Sequence, residues 1–203
     1  MYVFKFNNNV ELPKEVDDKF IDLAKVVSAS SNDVRVIAIT STFDEEGKSF
    51  VATQLSKALA KMDYRVMLLM ADMRKTTAIE EKVTMGILDV INGKTSYENI
   101  IYDTDISGVN IMFSGATKEN EKLDIDRQVY GVMLKCLKEE YNYIIVDMST
   151  MGKTNNDENF LKESDVSIMV ISPNSGARKK IEDNIKLIEK YNCKVLGAVL
   201  NNR

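Results

Sequence analysis

Short apolar runs recur along the chain, and between them lie stretches whose apolar residues return at helical spacing. The runs cover residues 34–40, 65–71, 109–113, 143–148, 166–172 and 194–200. Each is rich in Val, Ile, Met or Leu and too short for a buried helix, so each reads as a strand. Several are apolar at odd and even positions alike, as strands are when a parallel sheet is covered on both faces. Between the runs, Phe50, Val51, Leu55, Ala58, Leu59 and Met62 fall on one helical face, and Ile181, Ile185 and Ile188 on another. This alternation predicts a doubly wound α/β domain, a mostly parallel sheet flanked by helices, with its ligand at the carboxyl ends of the strands. Ahead of the first run, Val16, Phe20, Leu23, Ala24 and Val27 form an apolar stripe at helical spacing. Such a stripe packs on its own domain or, alternatively, on another subunit. The expected division is an N-terminal segment with an amphipathic helix, residues 1–32, followed by one α/β domain, residues 33–203.

Composition narrows the class of function. At 203 residues the chain suits a single domain with a real core. Its 44% apolar and 29% charged residues are ordinary for a globular protein. A net charge of −4 gives no overall basic field for nucleic acid. No run of about 18 apolar residues and no signal-peptide pattern occurs, so a cytoplasmic chain without a span of its own is expected. Cys136 and Cys193 stand apart and read as reduced thiols. The absence of histidine excludes His-based triads and His-ligated metal sites, leaving carboxylates, lysines, arginines and hydroxyls for chemistry.

The richest stretch is TSTFDEEGKSF, residues 40–50. Strict phosphate-loop spelling asks for Gly, four residues, then Gly-Lys-Ser or Gly-Lys-Thr, and here Thr42 replaces the first Gly. A strand runs straight in and an amphipathic helix begins at Lys48. The backbone N–H groups of Gly47, Lys48, Ser49 and Phe50 would then point at a phosphate, with the helix dipole behind them. Lys48 would neutralise β- and γ-phosphates, and Ser49 Oγ would ligate Mg²⁺. Asp72 and Asp147 close two other runs, where Mg-nucleotide chemistry needs a hard oxygen ligand or a water-orienting carboxylate. Each alone could be a cap or a turn residue. Three such features on three strands of one sheet favour a site.

These residues resemble the bacterial tyrosine kinases (BY-kinases) of capsule and exopolysaccharide synthesis, over about residues 30–203. TSTFDEEGKSF is similar to that family's Walker A, VMLLMADMRKT (66–76) to its Walker A′, and YIIVDMST (143–150) to its Walker B. MGILDVINGKTSYENIIYDTDISGVNIMFSG has the family's cadence of short helix, turn and strand, and VLGAVLNNR resembles its last strand. The resemblance implies transfer of the γ-phosphate of ATP to tyrosine, with ATP or ADP and Mg²⁺ as cofactors. It assigns catalysis to Lys48, Asp72 and Arg74, and the metal to Ser49, Asp72 and Asp147. Nucleotide contacts would come from Glu46, Gly47, Lys48, Ser49, Phe50 and Asn201. Its partners would be a protein tyrosine substrate and the cytoplasmic tail of a membrane-anchored activator of polysaccharide co-polymerase type. That tail would hold the protein at the inner face of the membrane.

The chain departs from the family at several places. Asp44 and Glu45 stand where Pro-Gly is usual, and two unpaired carboxylates there would repel a triphosphate and weaken binding. Met70 stands where the family places the carboxylate thought to activate the tyrosine hydroxyl, and a thioether takes no proton. Ser149-Thr150 replaces a Pro-Pro, and Thr117 to Glu121 replace a Pro-rich turn. The N-terminal helical stripe lacks the ring-forming Glu-x-x-Arg-x-x-Arg pattern, and the eight tyrosines are scattered rather than clustered. The alternative function is therefore a degenerate kinase that binds nucleotide as a regulatory module. A partition-ATPase reading needs a signature lysine near position 43, where Phe43 stands.

Overall fold

A computed structural model describes residues 3–6, 12–72, 85–115, 125–154, 156–173 and 178–202. In chain order the elements are β1 (Val3–Phe4), α1 (Lys14–Ser30), β2 (Val36–Ser41), α2 (Lys48–Lys61), β3 (Val66–Met70), α3 (Ile87–Ile91), β4 (Tyr102–Thr104), β5 (Val109–Phe113), α4 (Arg127–Glu140), β6 (Tyr143–Asp147), α5 (Asp157–Lys162), β7 (Val166–Ile171), α6 (Arg178–Lys190) and β8 (Lys194–Leu200). All six apolar runs are strands, with ends within two residues of those expected. The two short strands β1 and β4 were not among them.

The described strands form one sheet in the order β1-β4-β5-β3-β6-β2-β7-β8. From β5 to β8 every neighbouring pair is parallel. Only the β4–β5 pair is antiparallel. Alternation within the strands sorts their side chains into two cores, one on each face. Val36, Ala38, Met67, Leu69, Ile144 and Val146 pack on one side with residues of α4, α5 and α6 such as Leu134, Phe160 and Ile188. Ile37, Ile39, Val66, Leu68 and Ile145 pack on the other with Val51, Leu55 and Leu59 of α2. Double coverage explains why these strands read as continuous apolar runs.

The stripe on α1 belongs to the second core. Phe20, Ala24 and Val27 are buried there, and Val16 and Leu23 lean against it. Of the two expected destinations, it takes its own domain.

The order β3-β6-β2 carries the functional consequence. Met70 and Ile39 are both register partners of Asp147. The ends of three adjacent parallel strands therefore meet around one carboxylate-bearing position, and the loop into α2 leaves from one of them. This is the edge at which open α/β sheets bind ligands.

Candidate nucleotide site

The loop between β2 and α2 turns on Gly47, which has φ of 91° and is the N-cap of α2. A side chain there would be strained, and the Asn201 amide would have to swing aside for it. The left-handed backbone strains any L residue, and a Cβ would collide with Asn201 Nδ2. Asn201 itself, just past β8, donates to the Glu46 carbonyl at 2.9 Å, and its backbone N–H bonds the Ile171 carbonyl at 2.9 Å. Asn201 thus buttresses the loop from the neighbouring strand ends.

Glu46 explains one of the three consecutive acids. It is 3% exposed. Its Oε2 accepts from the backbone N–H of Thr42 (3.0 Å) and Phe43 (2.9 Å), and its Oε1 from Ser172 N–H (3.0 Å). Both oxygens are taken up in shaping the loop and pinning it to the end of β7. The side chain of Glu46, expected as a nucleotide contact, is thus engaged by its own loop and by the end of β7.

Lys48 is the first residue of α2 and is 4% exposed. Its Nζ donates to Ser41 Oγ at 3.0 Å and to Thr150 Oγ1 at 3.1 Å. Ser41 Oγ donates in turn to the Phe43 carbonyl at 2.7 Å. Thr150 Oγ1 donates to Asp44 Oδ1 at 2.6 Å, and Asp44 Oδ2 lies 3.5 Å from Lys153 Nζ. Asp44 is thus not the unpaired carboxylate its position in the sequence suggests. A hydroxyl and an ammonium, both from the segment after β6, hold it. Glu45 is exposed and adopts φ of 61°.

An α-helix leaves its first N–H groups without intrahelical partners, and in α2 these belong to Lys48, Ser49 and Phe50. No acidic residue lies in that first turn. The Phe50 ring packs edge-on against Phe20 of α1 at 5.8 Å, so its side chain anchors the helix while its backbone faces the loop. Thr42 Oγ1 accepts from Asn184 of α6 at 3.2 Å, and Lys180 sits 4.7 Å from the Phe43 ring. An apolar groove of about 630 Å³ opens between α1 and the end of β8, walled chiefly by Val16, Phe20 and Leu23 on one side and by Phe50, Val199 and Leu200 on the other.

The two expected metal carboxylates lie at the strand ends. Asp147, the last residue of β6, is fully buried, and its carbonyl accepts from Ala71 N–H at 2.9 Å. Asp72, two residues beyond β3, is 4% exposed. Among the described residues no group of three or more His, Cys, Asp or Glu could hold a metal alone. Met70 packs against the same core as α2, on the face to which alternation also assigns its register partner Asp147. Arg74 and the segment 117–121 lie outside the described residues.

Ser41, Thr150 and Lys153 were not expected. Thr150 had a signal in the sequence, for it and Asp44 both depart from the family pattern and their side chains meet here.

The pattern of the AAA domain family matches residues 34–198. The chain belongs to that family. It is similar to the tyrosine-protein kinase CpsD of Streptococcus pneumoniae, with 22% identity over 197 residues, 95% of this chain and 86% of the relative. Among solved structures, the chimerical protein CapA2B2 matches with a TM-score of 0.84 at 22% identity, over 97% of this chain and 88% of the other. The septum site-determining protein MinD of Pyrococcus horikoshii, complexed with Mg-ADP, matches with a TM-score of 0.69 at 24% identity, over 83% of this chain and 70% of the other. The expected kinship with the bacterial tyrosine kinases and the P-loop α/β fold are borne out. No helix among the described residues is long and apolar enough to cross a membrane.

Proposed function

We propose that the protein binds ATP or ADP with Mg²⁺ and passes the γ-phosphate of ATP to tyrosine, regulating capsular or exopolysaccharide synthesis. The observation that carries this reading is the buried ammonium of Lys48 at the start of α2, beside strand ends bearing Asp72 and Asp147. The N–H groups of Gly47 to Phe50 receive the phosphates, aided by the helix dipole. Lys48 balances their charge. Ser49 Oγ, Asp72 and Asp147 hold Mg²⁺, which when bound shields the phosphate charge and orients the transferred group. Asn201 takes the nucleoside end. Asp72 and Arg74 complete the catalytic set.

Lys153 and Asp44, each about half exposed, lie beside the buried Lys48–Thr150 pair. The partner would be the cytoplasmic tail of a membrane-anchored activator, which places the protein at the inner membrane face. A protein tyrosine is the substrate.

Met70 favours a second reading, a degenerate kinase that binds nucleotide and acts as a regulatory module. Phosphotyrosine detection after incubation with Mg-ATP, with and without the activator tail, separates the two. Slow labelling that the tail raises and Lys48→Met abolishes is the expected result. Nucleotide binding with no labelling in either condition would replace the first reading with the second.

A further inference from the structure

Two positions at which this chain leaves the family pattern are bonded to each other beside Lys48. Asp44 comes from the phosphate loop and Thr150 from the segment after β6, and Thr150 Oγ1 donates to Asp44 Oδ1 at 2.6 Å. A proline at either place could not make this bond. The same Thr150 oxygen accepts from Lys48 Nζ at 3.1 Å. A loop carboxylate is thus one hydroxyl away from the ammonium that must meet the phosphates.

A hydroxyl has a single proton to give. While Thr150 donates to Asp44 it cannot donate to a γ-phosphate oxygen arriving at the same place. The carboxylate also adds a negative charge where the outermost phosphate would bring its own. Lys153, 3.5 Å from Asp44, offsets part of that charge, but both side chains are about half exposed, so water screens the pair. The β-phosphate escapes this conflict. Its ligands are the backbone N–H groups of the first turn of α2, and Lys48 can reach it while keeping Thr150.

We propose that Asp44 is a specificity-determining residue that makes the site prefer a nucleoside diphosphate over the triphosphate, its carboxylate standing in for the γ-phosphate in the Lys48–Thr150 network. This deepens the nucleotide-binding reading above and rests on it.

Calorimetric titration of the full chain with Mg-ADP and with Mg-AMPPNP, in wild type and Asp44→Asn, tests it. The asparagine keeps the size and an acceptor oxygen for Thr150 while removing the charge. Wild type should bind ADP more tightly than the triphosphate analogue by about tenfold, and Asp44→Asn should tighten the analogue by a similar factor and leave ADP within about twofold. Equal affinity of wild type for the two nucleotides would overturn the inference while leaving the P-loop reading intact. So would a shift of both ligands by the same factor in Asp44→Asn. Binding of neither nucleotide by wild type would overturn the P-loop reading itself and this inference with it.

Discussion

Replacing Glu46 by glutamine changes one atom and should loosen the whole phosphate loop. The carboxylate accepts three backbone N–H groups, from Thr42, Phe43 and Ser172, at 2.9–3.0 Å in a site 3% exposed. A primary amide offers one oxygen and one NH₂. If its oxygen faces Thr42 and Phe43, its NH₂ opposes Ser172 N–H; the reverse orientation leaves two donors opposed. At least one charge-assisted bond is lost, and the others fall to neutral strength. Bonds to a charged group contribute about 1.5–3 kcal/mol each, so the variant should lose about 2–4 kcal/mol. For a chain of this size that lowers the melting temperature by roughly 4–16 °C. Urea and thermal denaturation measure the loss, and Mg-ADP titration should show weaker binding in parallel, because the loop is no longer held to β7. A Glu46→Gln variant that melts within about 2 °C of wild type would refute the bracing role.

Two further predictions concern chemistry and pH. Met70→Asp restores a carboxylate on the α2 face of β3 and should raise transfer of labelled phosphate from Mg-ATP to a tyrosine substrate by up to about 10²-fold. Because Met70 is the register partner of Asp147, the new charge should also cost about 1 kcal/mol when Mg-nucleotide is absent. An unchanged transfer rate would show that position 70 does not limit the step. At alkaline pH, burial pushes the Cys193 thiol up to about 11 and the Tyr141 hydroxyl up to about 12, and it raises Tyr130 as well. The folded chain thus keeps protons that the unfolded chain releases from about pH 8.5 upward. Fewer protons on the unfolded state make the slope of stability against pH negative, so urea midpoints should fall between about pH 8 and about pH 10.5. A flat profile there would contradict the burial of these groups.

Much of the frame was legible because double burial writes itself into composition. The runs that became β2, β3, β5, β6 and β7 are apolar on both faces and largely buried on both, whereas β8 reads the same way in sequence but lies at the sheet edge with no residue buried. β1 and β4 were not legible. They hold two and three residues, and Tyr102-Asp103-Thr104 carries no apolar run. The strand order was not legible either, since nothing local says that β6 lies between β2 and β3. That insertion sets Asp147 beside Met70.

In the site, Gly47 and Lys48 could be read from spacing, because a strand–loop–helix turn fixes where the first N–H groups of the helix point. The roles of the acids could not. Glu46 faces the backbone of its own loop, and Asp44 pairs with a residue 106 positions away. Such pairings depend on where chain segments meet, and a single sequence does not state it. Asn201 illustrates both sides. Its place after the last strand accords with the motif, whereas its close approach to Gly47 emerges only from packing.

The central claim is that Lys48 at the start of α2 holds the phosphates of a Mg-nucleotide, and calorimetric titration of Mg-ADP into wild type and Lys48→Met tests it most directly. Circular dichroism of the variant confirms that it is folded. Saturable binding to wild type is predicted, with a loss of at least about 10²-fold in Lys48→Met, since a charge-assisted contact of about 3 kcal/mol disappears. Equal affinity in the two proteins, both folded, would contradict it.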